Sequence, residues 1–251
     1  MNNLKATKRE TVTAGQLSKL RESGFIPAIL YGGKDPNAKI SIEKKNIKNV
    51  RVDYKKSNID FLSAYSSPYD LFNIWIKQAF EVDKDNANAF VLSTVSKDLI
   101  PSSRVVLLRG FTEDGLVFFT NYNSQKSNDI SVNSNVSANF FWPQLEKQIR
   151  ISGTASKINK EKSDEYFSNR PLESKLGAII SNQSSVIPLD YDFIAKIEEY
   201  KSNNSSTSII RPENWGGFII KINLFEFWQG RPSRLHDRLC YNLENGKWKV
   251  N

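Results

Sequence analysis

The only histidine in the chain, His236, sits in the run Arg231-Pro232-Ser233-Arg234-Leu235-His236-Asp237-Arg238. Read as a strand, this run places residues 234, 236 and 238 on one face. Two guanidiniums and an imidazole on one face are not ordinary core. They call for anions or polar ring atoms as partners. The competing reading is a solvated edge strand, or a face salt-bridged by Asp237. The lead-in Phe225-Glu226-Phe227-Trp228 counts against a plain surface strand, because it sets an aromatic wall beside the cations. A flat aromatic ligand carrying phosphate would need that combination.

Two further groups could hold phosphate. In Arg104-Val105-Val106-Leu107-Leu108-Arg109, cations bracket a buried-looking run, and each arginine could take one phosphate. Taken alone, a core strand with a charged residue at each end is the better reading of this run. Tyr166 and Arg170 stand four apart on one predicted helix face, with Ser174 after the break at Pro171. A guanidinium between two hydroxyls makes a phosphate cradle, although a Tyr/Arg pair at this spacing is commonly a surface pair. Gln183-Ser184-Ser185 adds amide and hydroxyl groups. One His and one Cys leave little for a zinc site. There is no Gly-x-Ser-x-Gly elbow, no Gly-x-Gly-x-x-Gly and no Gly-x-x-x-x-Gly-Lys-Ser/Thr loop. A flavin bound without a Rossmann unit remains compatible with these residues.

The elements that must position these groups can be read from periodicity. Ser67 is a fair N-cap and Pro68 suits a first helical position. Leu71, Phe72, Trp75, Ile76 and Phe80 follow at helical spacing. Strands are predicted at Ala89–Val95, Ser103–Leu108, Leu116–Thr120, Val136–Trp142 and Gln148–Ser152. Helices follow near 160–169, 172–181 and 190–201, the last with Phe193, Ile194, Ile197 and Tyr200 on one face. Phe218–Trp228, Leu235–Tyr241 and Lys247–Val250 return to strand. Thr112-Glu113-Asp114-Gly115 and Asn245-Gly246 are hairpin turn signals. Many strands with a helical insert suggest a small antiparallel barrel decorated by helices.

The chain of 251 residues suits one large domain or two small ones. Its net charge of +8 is uneven. Residues 1–57 hold 13 Lys/Arg against 5 Asp/Glu, whereas residues 58–251 hold 22 of each, so the whole basic excess is N-terminal. Such a segment can contact nucleic acid or form a solvated basic face. No apolar run reaches the roughly 20 residues of a membrane helix, and the polar N-terminus does not read as a secretion signal. Together with the lone Cys240, these features point to a cytoplasmic protein. Polar, Lys-rich residues at 43–60 suggest a joint between two units.

The run Phe225 to Arg238 resembles the C-terminal signature of pyridoxine/pyridoxamine 5'-phosphate oxidases. Arg104–Arg109, Phe118-Phe119-Thr120-Asn121, Gln148, Tyr166 to Ser174, Gln183-Ser184 and Trp215-Gly216-Gly217-Phe218 also look like that family, in its order and spacing. The resemblance runs from about Arg51 to Asn251. It implies a mainly β, split-barrel FMN-binding fold over residues 49–251, working as a homodimer with FMN at the interface. Carried over by position, Arg104, Val105, Val106, Leu107 and Leu108 would line FMN, with Arg104 on its phosphate. Phe119, Thr120, Lys126, Gln148, Gln183, Ser184, Trp228 and Arg238 would complete that site. Arg109, Tyr166, Arg170 and Ser174 would hold the substrate phosphate. Arg234, Leu235 and His236 would contact the pyridine ring, with Arg234 and His236 near the reacting carbon. Arg51 and Tyr54 match an N-terminal lid. The implied reaction moves a hydride from C4' of pyridoxamine or pyridoxine 5'-phosphate to the flavin, which oxygen reoxidises to give hydrogen peroxide. Gln125 stands where the family commonly has Arg, and Arg109 where it often has Lys. A flavin reductase or binding protein with another substrate is the alternative implied by the same fold.

Residues 1–48 resemble a different family. Leu4 to Glu10 and Arg21 to Lys34 are similar to the start of the large-subunit ribosomal protein that binds 5S rRNA. The similarity covers about half of that protein's barrel, so a partial β-rich segment with unpaired edges is expected.

Overall fold

Apolar-polar alternation across most of the chain folds into curled antiparallel sheet in the computed structural model, which describes residues 6–10, 13–30, 38–43, 54–59, 67–203 and 209–251. The chain forms two compact units, residues 1–53 and 54–251. In the first, β1 (Ala6–Lys8), β2 (Phe25–Leu30) and β3 (Ala38–Glu43) form an antiparallel sheet in the order β1-β3-β2. Helix α1 (Ala14–Glu22) starts on a capping box that periodicity did not reveal. Thr13 Oγ1 accepts from Gln16 N–H (3.3 Å), and Gln16 Oε1 accepts from Thr13 N–H (3.2 Å).

The second unit opens with α2 (Pro68–Val82), capped by Ser67 and started by Pro68. Its strands are β4 (Ala89–Val95), β5 (Pro101–Leu107), β6 (Gly110–Thr112), β7 (Gly115–Asn121), β8 (Asn135–Trp142), β9 (Lys147–Lys157), β10 (Trp215–Gln229), β11 (Asp237–Glu244) and β12 (Lys247–Val250). They run in the order β12-β11-β10-β9-β8-β4-β5, with β7 paired to the first half of β10 and β6 to β7. Beyond β5 the chain passes into the β6–β7 hairpin, whose first bond is Arg109 N–H to Val117 O (2.8 Å). Helices α3 (Gln125–Val132), α4 (Lys160–Ser168), α5 (Leu172–Ile180) and α6 (Phe193–Asn203) decorate it. The expected mainly β, helix-decorated class is what forms. Both hairpin signals act as turns: Thr112 pairs with Gly115, and Asn245 and Gly246 both adopt the positive φ of a tight hairpin turn.

An aromatic core fills the curl. Phe72, Phe90, Phe118, Phe140, Phe225 and Phe227 are fully buried. Phe72 from α2 meets Phe140 edge-on at 5.4 Å and Phe111 at 4.1 Å, which ties the helix to the sheet.

Four expectations need correction. Phe80 is 41% exposed, because Ala79 takes the core position on that turn of α2. Helix α6 buries none of its residues, so its apolar stripe does not face core. The run Val105 to Leu107 is not buried: β5 is an edge strand, with Val105 65% exposed. Finally, Arg234 and His236 are not on a strand. Pro232–Arg234 is a 3-10 turn, and β11 starts only at Asp237. Phe72→Ala should cost about 3–5 kcal/mol in urea denaturation, with the native far-UV signature retained.

Candidate active site

Strands β5 and β7, the start of α3, the link between α4 and α5 and the first residue of β10 surround a cavity of about 1050 Å³. That is at the upper end of the range small-molecule sites occupy. Four cations line it: Arg104, Arg109, Lys126 and Arg170. Among the described residues, none that lines it is acidic.

Arg104 is anchored at the back. Its Nη1 donates to Thr94 Oγ1 (2.7 Å), Leu92 O (3.2 Å) and Ser102 O (3.1 Å). Asp129 lies 3.9 Å behind it and accepts from Thr94 Oγ1 at 2.6 Å. Burial lowers the Arg104 pKa, and Asp129 acts the other way. Lys126 has no such partner. Its ammonium donates only to neutral oxygens: Thr120 Oγ1 (3.2 Å), Ser124 Oγ (3.1 Å) and Gln183 Oε1 (3.1 Å). Burial first, and the Arg104 charge second, bring its pKa down to about 8. A buried ammonium held by neutral partners has the chemistry to pair with an anion.

The opposite wall is aromatic. Phe119 stacks on Tyr166 at 3.7 Å and on Trp215 at 5.4 Å. The Arg170 guanidinium lies over Trp215, 4.5 Å from the ring centroid. Its Nη1 is buried with no hydrogen-bond partner among the described residues. Burial chiefly, with Arg109 adding to it and Tyr166 opposing, keeps the Arg170 pKa below its ordinary value. Arg170 and Tyr166 do not share a helix face as expected: α4 ends at Ser168, and Arg170 lies beyond its C-cap Asn169. The turn at 169–171 still brings both into the cavity, together with Ser174 from α5. At Gly216 a Cβ would meet Tyr122 Oη at 2.2 Å, so a larger residue there would displace the Tyr122 ring.

A second group forms at the far end of β10. Trp228 meets His236 at 4.7 Å, and Tyr54 stands edge-on to Trp228 at 5.6 Å and near His236 at 5.7 Å. His236 Nδ1 accepts from Arg231 N–H (3.1 Å), which leaves the proton of the neutral ring on Nε2. Ser233 and Arg234 both have left-handed backbone (φ 58° and 62°), a locally strained conformation for residues with side chains. The aromatic wall expected here is narrower than Phe225 to Trp228. Strand alternation sends Phe225 and Phe227 into the core and leaves Trp228 alone beside His236. Glu226, on the Trp228 face, pairs with Arg150 (2.8 Å) and Arg238 (3.6 Å).

Of the residues singled out from sequence, Arg104, Val105, Val106, Leu107, Arg109 and Phe119 line the cavity. So do Thr120, Lys126, Tyr166, Arg170, Ser174, Gln183 and Ser184. Leu108 is buried just behind, its N–H bonded to Asn88 O. Tyr54, Gln148, Trp228, Arg234, Leu235, His236 and Arg238 do not line it, so one chain does not unite Arg170 with Arg234 and His236 in a single pocket. Gln148 pairs in register with Trp228, and Arg238 with Trp228 from the other side. Arg51 lies outside the described residues. Sequence reading missed Trp215 as the platform for Arg170, the Thr94/Asp129 support of Arg104, and helix α3. The eight residues of α3 are mostly polar and carry no apolar stripe to reveal it. Gln125, the departure noted above, faces the cavity.

A curled antiparallel sheet holds a cationic cavity with an aromatic wall, a chemistry suited to phosphorylated, ring-bearing ligands. The family model described as pyridoxamine 5'-phosphate oxidase matches residues 76–203, and that of the pyridoxine 5'-phosphate oxidase C-terminal dimerisation region matches residues 215–251. The pyridoxine/pyridoxamine 5'-phosphate oxidase of Cytophaga hutchinsonii is 43% identical over 209 residues, covering 82% of this chain and 97% of that one. Its namesake in Christiangramia forsetii is 44% identical over 208 residues, covering 82% and 97%. This chain belongs to the pyridoxamine 5'-phosphate oxidase family. Its fold is shared with PhzG of Burkholderia lata 383, solved with tetrahydrophenazine-1-carboxylic acid, at TM-score 0.73 and 23% identity over 80% of this chain and 98% of that one. A pyridoxamine 5'-phosphate oxidase-related, FMN binding protein of Nostoc punctiforme shares it at TM-score 0.61 and 17% identity, over 74% and 96%. The ribosomal L25p family model matches residues 4–95, further than the 1–48 resemblance and overlapping the oxidase model from residue 76. Among the described residues, no helix is long and apolar enough to cross a membrane.

Lys126→Met should stabilise the ligand-free protein, because a charge held without an anion is removed. Its folded pKa lies below the unfolded value, so the penalty is full below about pH 8. It fades as pH rises toward the unfolded value of about 10.4. Thermal unfolding of both proteins across that range checks this: an advantage that grows with pH would contradict it.

Proposed function

We propose that the protein is an FMN-dependent oxidase converting pyridoxamine or pyridoxine 5'-phosphate to pyridoxal 5'-phosphate, carried by residues 49–251. The observation that carries this reading is the cavity lined by four cations and no carboxylate. Two phosphorylated ligands would supply the missing negative charge. The residues suit two phosphorylated ligands: the Lys126 ammonium, on the FMN side, rests on neutral oxygens alone, and the Arg170 Nη1, on the substrate side, is buried with no hydrogen-bond partner among the described residues.

Arg104, Lys126, Thr120, Gln183 and Ser184 would hold the flavin phosphate, and Val105, Val106, Leu107, Leu108 and Phe119 the flavin ring. Arg109, Tyr166, Arg170 and Ser174 would hold the substrate phosphate. When bound, FMN would supply a two-electron acceptor that oxygen can regenerate, with hydrogen peroxide as the by-product. The protein's own part is alignment: a phosphate anchored at one end fixes where the substrate's C4' lies.

The other end of the substrate would meet Arg234, Leu235 and His236 of a second copy. Trp215 and Trp228 are thirteen residues apart on β10, roughly 40 Å along an extended strand. A homodimer could bring the Trp228 end of one chain to the Trp215 end of the other, adding Gln148, Trp228 and Arg238 to the flavin site and Tyr54 to the lid. Two observations support this: the match of residues 215–251 to a dimerisation region, and the exposed Val105 and Leu107 on edge strand β5. An exposed apolar edge is a surface that wants a partner. His236, its Nδ1 taken by Arg231 N–H, would offer Nε2–H to the substrate ring.

The test is a visible flavin spectrum in the purified protein that bleaches on anaerobic addition of pyridoxamine 5'-phosphate. Arg234→Ala should lose turnover by about 10²-fold or more while keeping its flavin. Arg104→Ala should instead lose flavin. Flavin loss in the Arg234 variant would contradict the assignment, and a spectrum unmoved by substrate would sink the oxidase reading.

A further inference from the structure

Residues 54–59 lie outside helix and strand, yet Tyr54 at their start is seated against Trp228 and His236. What seats it is a residue that none of the groups above includes. Glu146, 5% exposed, turns its carboxylate onto this strap. One oxygen, Oε2, accepts the backbone N–H groups of both Lys55 (2.9 Å) and Lys56 (3.0 Å). The Glu146 carbonyl accepts from Gly230 N–H (2.8 Å) and from Gln229 Nε2 (3.1 Å). One residue therefore joins the strap to the end of β10 that carries Trp228.

The far end of the strap is held separately. Ile59 N–H donates to Asp237 Oδ2 (3.0 Å), and Arg231 Nη1 donates to Ser57 O (3.2 Å). Gly230 leaves the notch into which Tyr54 fits: a Cβ there would lie 2.6 Å from Tyr54 Cγ. Glu146 itself is left-handed (φ 56°), a backbone conformation unfavourable for a residue with a side chain. Charge-assisted bonds to two successive backbone N–H groups offset that strain.

We infer that Glu146 is a positioning residue for substrate binding: it latches the strap so that Tyr54 stays on Trp228 and His236. This rests on the oxidase reading. Without the latch, Tyr54 must be ordered each time substrate binds, so affinity falls while the reacting groups keep their places.

Two variants and one direct measurement test this. Asparagine tolerates left-handed backbone but is too short to reach the strap, so Glu146→Asn separates the latch from the turn. It should raise KM for pyridoxamine 5'-phosphate about tenfold, with kcat within about twofold and flavin content unchanged. Glu146→Gln keeps an acceptor oxygen at full reach and should restore most of the loss. In the wild type, hydrogen exchange at the Lys55 and Lys56 amides should be slower than in a free peptide, and faster in Glu146→Asn. Free-peptide exchange in the wild type would overturn the latch without any variant. An unchanged KM in a Glu146→Asn protein that has lost amide protection would overturn its role in binding. Absence of turnover in the wild type is a different failure: it removes the oxidase reading and the substrate role with it, while the exchange result still reports on the latch.

Discussion

Positive charge gathered without its counter-charge is the constraint on which the rest of the structure depends. Four cations around one cavity repel each other, and no lining carboxylate relieves them. The fold tolerates this by three devices. Asp129 stands behind Arg104, outside the lining. Three neutral oxygens solvate the Lys126 ammonium. The face of Trp215 carries the Arg170 guanidinium. Each lowers the penalty of a buried charge while leaving it free to attract an anion. A carboxylate in the lining would neutralise part of this charge and oppose the binding of any anion.

Stability must then come from elsewhere, and the two functions are spatially separate. Six fully buried phenylalanines fill the curl of the sheet. Strand β10 joins the two regions. Its alternation sends Phe225 and Phe227 into the core, and Glu226 and Trp228 to the other face. Its first residue, Trp215, lines the cavity, and Trp228 anchors the second group. A single strand cannot bring its own two ends together, which is why the proposed ligand site draws one end of β10 from each of two chains.

Much of this was legible in the sequence. Ser67-Pro68 starts a helix there because the cap and the fixed proline φ act locally. Ala89–Val95 and Lys247–Val250 are strands at the predicted bounds, and Asn245-Gly246 is the turn its residues demand. The errors have physical reasons. Arg234 and His236 look like strand by alternation, but Pro232 and two left-handed residues turn the chain before β11 begins. Val105 and Leu107 look buried by composition, yet an edge strand has no neighbour to bury them within one chain. Helix α3, which delivers Lys126, has too polar a sequence to signal itself.

The sequence by itself determined the chemistry on offer: a lone histidine among arginines, scattered phosphate-binding side chains, turns, caps and a core of aromatic residues. These depend on residue type and short-range spacing, which a linear reading can see. Only the tertiary structure decided which of them meet. It put Arg104, Lys126 and Arg170 around one cavity, moved His236 and Trp228 to the other end of β10, and brought Glu146 to residues ninety positions earlier in the chain. Those meetings follow from sheet order and curvature, which arise from packing of the whole core and leave no mark on local sequence.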